Sequence, residues 1–192
     1  MNNSTIKIAT LNIKGLNNLD KQLKILTLLK SYKLDIILLQ ETNIFDIATQ
    51  QFLKDQWFFD SIWTGRTAIL AENKEIKLQD IKKSQEDRII STCFTFKKFL
   101  LHIVNIYAPP NTLNRTAFFD SWAIERKENM INIIAGDLNT NLNSDINRMS
   151  QANIQNDPSR DLLRNITKNF IDSAPFSNQN LFFTFHQKTR NN

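Results

Sequence analysis

The run Asp35-Ile-Ile-Leu-Leu39 constrains the fold more than any other stretch of the chain. Four consecutive apolar residues with no alternation leave no face for water. A strand of this composition is covered on both sides, as in sheets sandwiched between other layers. Around it, Ile6 to Leu11 alternates as a strand. Leu19, Leu23, Leu26 and Lys30 share one helical face, with Asn18 placed to cap and Asp20 in the first turn. Phe45 to Lys54 reads as a helix.

Strand-like pieces follow at Trp57 to Trp63, Thr67 to Ala71, Glu75 to Ile81, Arg88 to Phe96 and Leu100 to Tyr107. Phe99 falls at the turn of a hairpin between the last two. Thr112 to Arg126 reads as a helix opened by the turn APPN. Ile131 to Ala135 reads as a strand, Ser159 to Asn169 as a helix behind DPS, and Leu181 to Phe185 as a final strand. With only three glycines and four prolines, these boundaries rest on period more than on breakers. Interspersed helices and strands, with antiparallel neighbours in the middle, predict an α/β sandwich of mixed sheets. No GxGxxG and no P-loop supports a nucleotide cradle.

The 192 residues suit one domain. A single cysteine, Cys93, excludes an internal disulfide and points to a reducing compartment, nucleus or cytoplasm. No apolar run approaches about 18 residues, and MNNSTIKIAT does not read as a signal peptide. Neither membrane nor secretion is expected. The net charge of +5 permits a polyanionic partner. Abundant lysine and asparagine offer a compositional explanation of the same charge, and there is no dense Arg/Lys run.

Three apolar strands end alike: in Leu11-Asn12, in Gln40-Glu41-Thr42, and in Gly136-Asp137-Leu138-Asn139. A further tip ends in Tyr107. If these strands are neighbours, Asn12, Glu41, Asp137 and Asn139 converge at one edge of the core. Two carboxylates with amides, and no His/Cys cluster, form a hard-oxygen set suited to Mg²⁺ or Mn²⁺. Such a metal polarises a phosphoryl oxygen, while amides and a phenol hold phosphate oxygens without adding negative charge.

Each residue alone has a plainer reading. Asp137 and Asn139 suit a turn, Glu41 a helix N-terminus, and Tyr107 a rim aromatic. His102 lies mid-strand and reads as structural, and His186 is not read as catalytic. Trp57, Phe58, Phe59 and Trp63 read as core. Cys93 reads as an inert small hydrophobe.

LNIKGL, LLQET, NIYAP and GDLN, in this order, resemble the endonuclease/exonuclease/phosphatase superfamily. Their wording is most similar to the apurinic-endonuclease-like endonuclease domain of LINE-type (non-LTR) retrotransposons. TGRTAIL, EDRIIS and FIDSAP sit where that group has corresponding segments. The resemblance implies a DNase-like, four-layer sandwich of two mixed β-sheets flanked by helices. It implies Glu41 and Asp137 as metal-binding or catalytic carboxylates, with Asp137 positioning or activating water. Asn12 and Asn139 would orient phosphate or the metal's water shell, and Tyr107 would contact the scissile phosphate. Thr184 would touch substrate, and Arg88 would support the site.

Two departures stand out. Lys14 occupies a place where some relatives carry an acid. The family's later SRxD and SDH motifs are absent, so residues 1–192 are expected to be one domain truncated before them, without its last strands. Loss of a positioned acid or base costs about 10²–10⁴-fold.

The implied activity is Mg²⁺-dependent nicking of DNA, leaving a 3′-hydroxyl that primes reverse transcription. The polymerase would lie on a longer reverse-transcriptase polyprotein, with no obligate protein partner inferred. The alternatives are a phosphatase or phosphodiesterase acting on small or lipid phosphates, and an inactive fragment that binds nucleic acid through charge.

Overall fold

The computed structural model describes residues 5–84, 86–123, 125–140 and 157–171. The described residues fall into two compact units, one drawn from the ranges 5–108 and 125–138, the other from 109–123, 139–140 and 157–171.

In the first unit, β1 (Ile8–Asn12), β2 (Ile36–Gln40), β4 (Thr67–Ala71) and β3 (Ser61–Trp63) form one sheet in the order β1-β2-β4-β3. β1 and β2 are parallel and the other pairs antiparallel. A second mixed sheet has the order β5-β6-β7-β8, from Gln79–Lys83, Ile89–Phe96, Phe99–Tyr107 and Ile131–Asp137. Its β7–β8 pair is parallel and its other pairs antiparallel.

β2 is the central strand its sequence predicts, with all five residues buried. Ile36 and Leu38 face the second sheet in a core with Ile69, Ile90, Phe94 and Ile103. Ile37 and Leu39 face the other way, toward Leu26, Leu29 and Leu53 of the helices α1 (Leu19–Ser31) and α2 (Ile47–Gln56). Each such buried side chain stabilises by about 1.5–3 kcal/mol.

In the second unit, α3 (Thr112–Ser121) and α4 (Pro158–Thr167) are capped by Asn111 and Asp157. Among the described residues no helix is long and apolar enough to cross a membrane.

Several boundaries differ from the sequence reading. The buried stripe of α1 is Gln22, Leu26 and Leu29, whereas Leu19 and Leu23 lie open. The Gln22 amide is drawn inward by the Leu16 carbonyl (2.7 Å), which rotates the buried face. Asp46 caps α2, so Phe45 lies outside that helix. β3 is short because Trp57 ends α2 and sends its indole N–H to the Ala71 carbonyl. β5 lies further along than Glu75 to Ile81, since Ile76 buries in the preceding loop.

Phe99 begins β7 opposite Phe96, and Lys97, in the left-handed region, makes the turn. α3 stops at Ser121 because Trp122 turns to extended backbone. Glu125 and Lys127 beyond it form ion pairs with Lys82 and Asp80 of β5. The expected strand Leu181 to Phe185 lies outside the described residues, as does His186.

Candidate functional site

Parallel pairing brings the strand tips out together. Asn12 stands opposite Gln40 at the end of β1 and β2, and Tyr107 opposite Asp137 at the end of β7 and β8. The two tips meet through one side chain. The Asn12 amide nitrogen donates to Glu41 Oε1 at 2.7 Å and to Asp137 Oδ2 at 2.8 Å. The Tyr107 hydroxyl donates to the same Glu41 oxygen at 3.2 Å. Asn12 Oδ1 accepts the Lys14 N–H at 3.1 Å, which orients the amide with its nitrogen toward the carboxylates.

The loops that present these groups are tied to each other. The loop after β1 runs beside the loop after β2, with N–H donors of Ile13, Gly15 and Leu16 on carbonyls of Gln40, Glu41 and Thr42. The latter loop is held in turn by Thr42 N–H on Arg66 O (3.1 Å) and Ile44 N–H on Gly65 O (2.9 Å). Glu41 sits within this lattice at φ 54. A β-carbon disfavours that conformation, at a cost of about 1–3 kcal/mol, so the surrounding bonds must hold it. At the other tip Gly136 has φ 141, and a β-carbon there would stand 2.1 Å from the Ile106 carbonyl oxygen. Only glycine lets β8 approach β7 closely enough to deliver Asp137.

Burial pushes the Tyr107 hydroxyl up from its ordinary value, and the neighbouring Glu41 charge and hydrogen bond push the same way. It is therefore a neutral O–H donor across the physiological range. Arg88 opposes that shift and braces the ring: its guanidinium lies 5.1 Å from the ring centroid and donates to the Tyr107 carbonyl at 3.2 Å.

Beneath the tips lies a neutral polar anchor that the sequence reading missed. Gln40 and Asn105 are almost wholly buried. The Gln40 amide nitrogen donates to Asn105 Oδ1 (2.7 Å) and Thr10 Oγ1 (2.9 Å). The Asn105 amide donates to the carbonyls of Leu39 (2.9 Å) and Ala68 (2.8 Å). The pair links the two sheets one residue before Glu41 and two before Tyr107. The available signal was a polar residue in an otherwise apolar strand, at the end of β2 for Gln40 and two residues before the end of β7 for Asn105.

Asn12, Glu41, Tyr107 and Asp137 are thus brought together. Asn139, at φ 49, opens the second unit. Thr184 lies outside the described residues. His102 is buried in β7 against Asn132 (3.0 Å), in keeping with a structural role. Trp57 and Trp63 are buried as expected, but Phe58 is 83% and Phe59 37% exposed, so those two are not core. Cys93 is buried, and burial raises its thiol above the ordinary value, followed by the Asp80 charge. That agrees with an inert role.

Two carboxylates on one amide make an all-oxygen donor set that fits Mg²⁺ or Mn²⁺, which bind through one or two carboxylates with water and phosphate completing the shell. No trio of His, Cys, Asp or Glu placed to hold a metal occurs among the described residues; Glu41 and Asp137, joined through Asn12, are the carboxylates at this site that would hold one.

Residues 9–191 match the endonuclease/exonuclease/phosphatase family, and the chain belongs to it. The family is generally dependent on divalent metal. No curated protein matches the chain. Among solved structures, an AP endonuclease from Archaeoglobus fulgidus is similar over 97% of this chain and 80% of its own, with TM-score 0.75 and 16% identity. A humanized D. rerio TDP2 carrying 14 mutations is similar over 72% of this chain, with TM-score 0.57 and 20% identity. D. rerio TDP2 complexed with a single-strand DNA product is similar over 71%, with TM-score 0.52 and 23% identity. This chain spans 64% and 61% of the length of those two TDP2 chains. At such identities the likeness establishes the fold: the DNase-like arrangement of two mixed sheets with helices that the sequence predicts.

Proposed function

We propose that this chain is a divalent-metal-dependent phosphodiesterase that nicks DNA, of the kind used by LINE-type retrotransposons to prime reverse transcription. The carrying observation is the Asn12 amide that gathers Glu41 and Asp137 beside the Tyr107 hydroxyl. The LINE-like wording of the four motifs supports the retrotransposon part. The AP endonuclease and the TDP2 bound to a single-strand DNA product, as neighbours in fold, support a nucleic-acid substrate.

Mg²⁺ or Mn²⁺, held by Glu41 and Asp137, would supply Lewis-acid stabilisation of charge on the phosphate. The chain's own residues do the rest. Asn12 fixes both carboxylates in one orientation. Asp137 aligns a water and accepts its proton as that oxygen bonds to phosphorus. The bond from phosphorus to the 3′ oxygen breaks, and that oxygen takes a proton from solvent water, leaving a 3′-hydroxyl and a 5′-phosphate. Tyr107, kept protonated, donates to a non-bridging phosphate oxygen.

The test is conversion of supercoiled plasmid to nicked circles by the full chain. Nicking with Mg²⁺, none with EDTA, and at least about 100-fold slower nicking by Glu41→Gln are expected, with 3′ ends that a polymerase extends. Nicking that survives Glu41→Gln would sink the reading. Release of phosphate from small or lipid esters without nicking would favour the phosphatase alternative.

A further inference from the structure

Phe45 is 60% exposed, four residues beyond Glu41, which limits their Cα separation to at most about 14 Å. An exposed aromatic on a loop is usually mobile, but this one is seated. Its ring rests against Gly65 so closely that a β-carbon there would stand 2.4 Å from Cδ1 and 2.6 Å from Cε1. The Arg66 guanidinium lies 5.2 Å from the ring centroid. The loop is bonded to the same turn through Thr42 and Ile44 on Arg66 and Gly65. Two carboxylates on these segments are turned to backbone donors: Asp87 accepts the Gly65 N–H (3.0 Å) and Asp46 the Thr49 N–H (2.8 Å). The cation at the ring is Arg66, on a chain of net charge +5.

A rigid aromatic face with an arginine against it, beside a phosphodiester site, matches what holds unpaired bases: stacking on the ring, with the guanidinium adding cation–π attraction and drawing the backbone. We propose that Phe45, steadied by Gly65 and Arg66, is a stacking platform for one unpaired nucleobase next to the phosphate that is cut. The inference rests on the nuclease reading and narrows it to substrates that present a single-stranded or displaced base.

The molecule contains an internal control. Phe58 is 83% exposed with Lys30 4.4 Å from its ring centroid. Its neighbour Trp57 bonds to Ala71, which pairs with Ile36 at the opposite end of β2 from Glu41.

The experiment measures binding of the full chain in EDTA, by anisotropy, to a labelled single-stranded oligodeoxynucleotide and to the same strand made wholly abasic. Phe45→Leu is expected to weaken the base-bearing strand about 5- to 100-fold and to leave the abasic strand within about twofold. Phe45→Trp should restore the preference for bases, and Phe58→Leu should match the parent. Equal loss on both strands, no loss on either, or the same loss with Phe58→Leu would overturn the platform. An unchanged thermal melt confirms that Phe45→Leu is folded. Binding is read without metal or turnover, so failure of the nicking reading and failure of the platform remain separate results.

Discussion

Each unit is organised around a buried polar anchor, and the two anchors have opposite character. In the first unit Gln40 and Asn105 are neutral and satisfy each other and the strand carbonyls of Leu39 and Ala68. In the second, Arg115 and Asp157 are charged, 2.9 Å apart, with side chains only 6% and 10% exposed. Arg115 also donates to Ser159 Oγ (2.8 Å) and to the Pro110 carbonyl (2.7 Å), so one guanidinium fastens α3 to the start of α4. A neutral anchor sets position without adding a field, which suits a place directly behind two carboxylates. A charged anchor depends on both partners, because a lone buried charge is costly.

The sharpest way to break this contrast is to remove one charge. Asp157→Ala should destabilise the second unit by about 3–5 kcal/mol, since it leaves Arg115 buried without its carboxylate and takes the cap from α4. Hydrogen exchange would show α3 and α4 losing protection while β2 and β7 keep theirs. The double change Arg115→Met with Asp157→Leu should recover most of the loss. A cost below about 1 kcal/mol for Asp157→Ala would show that the pair contributes no more than a surface bridge.

The neutral anchor should respond less in stability and more in rate. Asn105→Leu takes one acceptor from the Gln40 amide, which keeps Thr10 Oγ1, and the Asn105 donor from the carbonyls of Leu39 and Ala68, at about 1–3 kcal/mol. Gln40→Leu with Asn105→Leu should cost less than the sum of the single changes. Because Gln40 adjoins Glu41 and Asn105 lies two residues from Tyr107, kcat for nicking should fall more than KM rises. A rise in KM alone would place the anchor's effect on binding.

What the sequence made legible, and what it hid, follows the same division. Asn12, Glu41, Tyr107 and Asp137 could be found because an apolar strand ending in a polar residue is a local pattern, and parallel register carries that pattern to one place. Most strand positions and the β6–β7 hairpin were legible from period, whereas sheet order was not, because period says nothing about which strands pair. Gln22, Gln40, Asn105 and Arg115 were not recognised as buried, because burial of a polar side chain depends on a partner far along the chain. Gln40 and Asn105 are 65 residues apart, and Arg115 and Ser159 are 44 apart. Gly136 is named only within the end of a strand in the sequence reading, and its role in letting β8 approach the Ile106 backbone depends on a neighbour that local sequence does not show. Phe45 was assigned to a helix whose cap, Asp46, comes one residue later.

The last contrast is with pH, and its sign is fixed by Asp157. Burial alone would raise this carboxyl. Hydrogen bonds from Ser159, Thr140 and Arg115, with the Arg115 charge, outweigh burial and hold it below the ordinary carboxylate value. A group with a depressed folded pKa stabilises above its unfolded pKa, about 3.9, and that contribution disappears as pH falls through the folded value. Protection of α3 and α4 should therefore hold from neutral pH to about pH 5 and decline below about pH 4. Asp157→Asn should begin weaker and show a flatter decline, which separates this group from the other carboxylates titrating nearby. Gln40 and Asn105 do not titrate and add nothing to the slope. The exposed network on β5 does not compete either. Glu125, bonded by Lys82 and Lys127, is held down to about 2, so it stays charged through this window, and solvent screens its effect on stability. If the Asp157→Asn variant lost α3 and α4 protection along the same curve as the parent, the acid sensitivity would lie elsewhere, and the two anchors would differ in strength but not in response to pH.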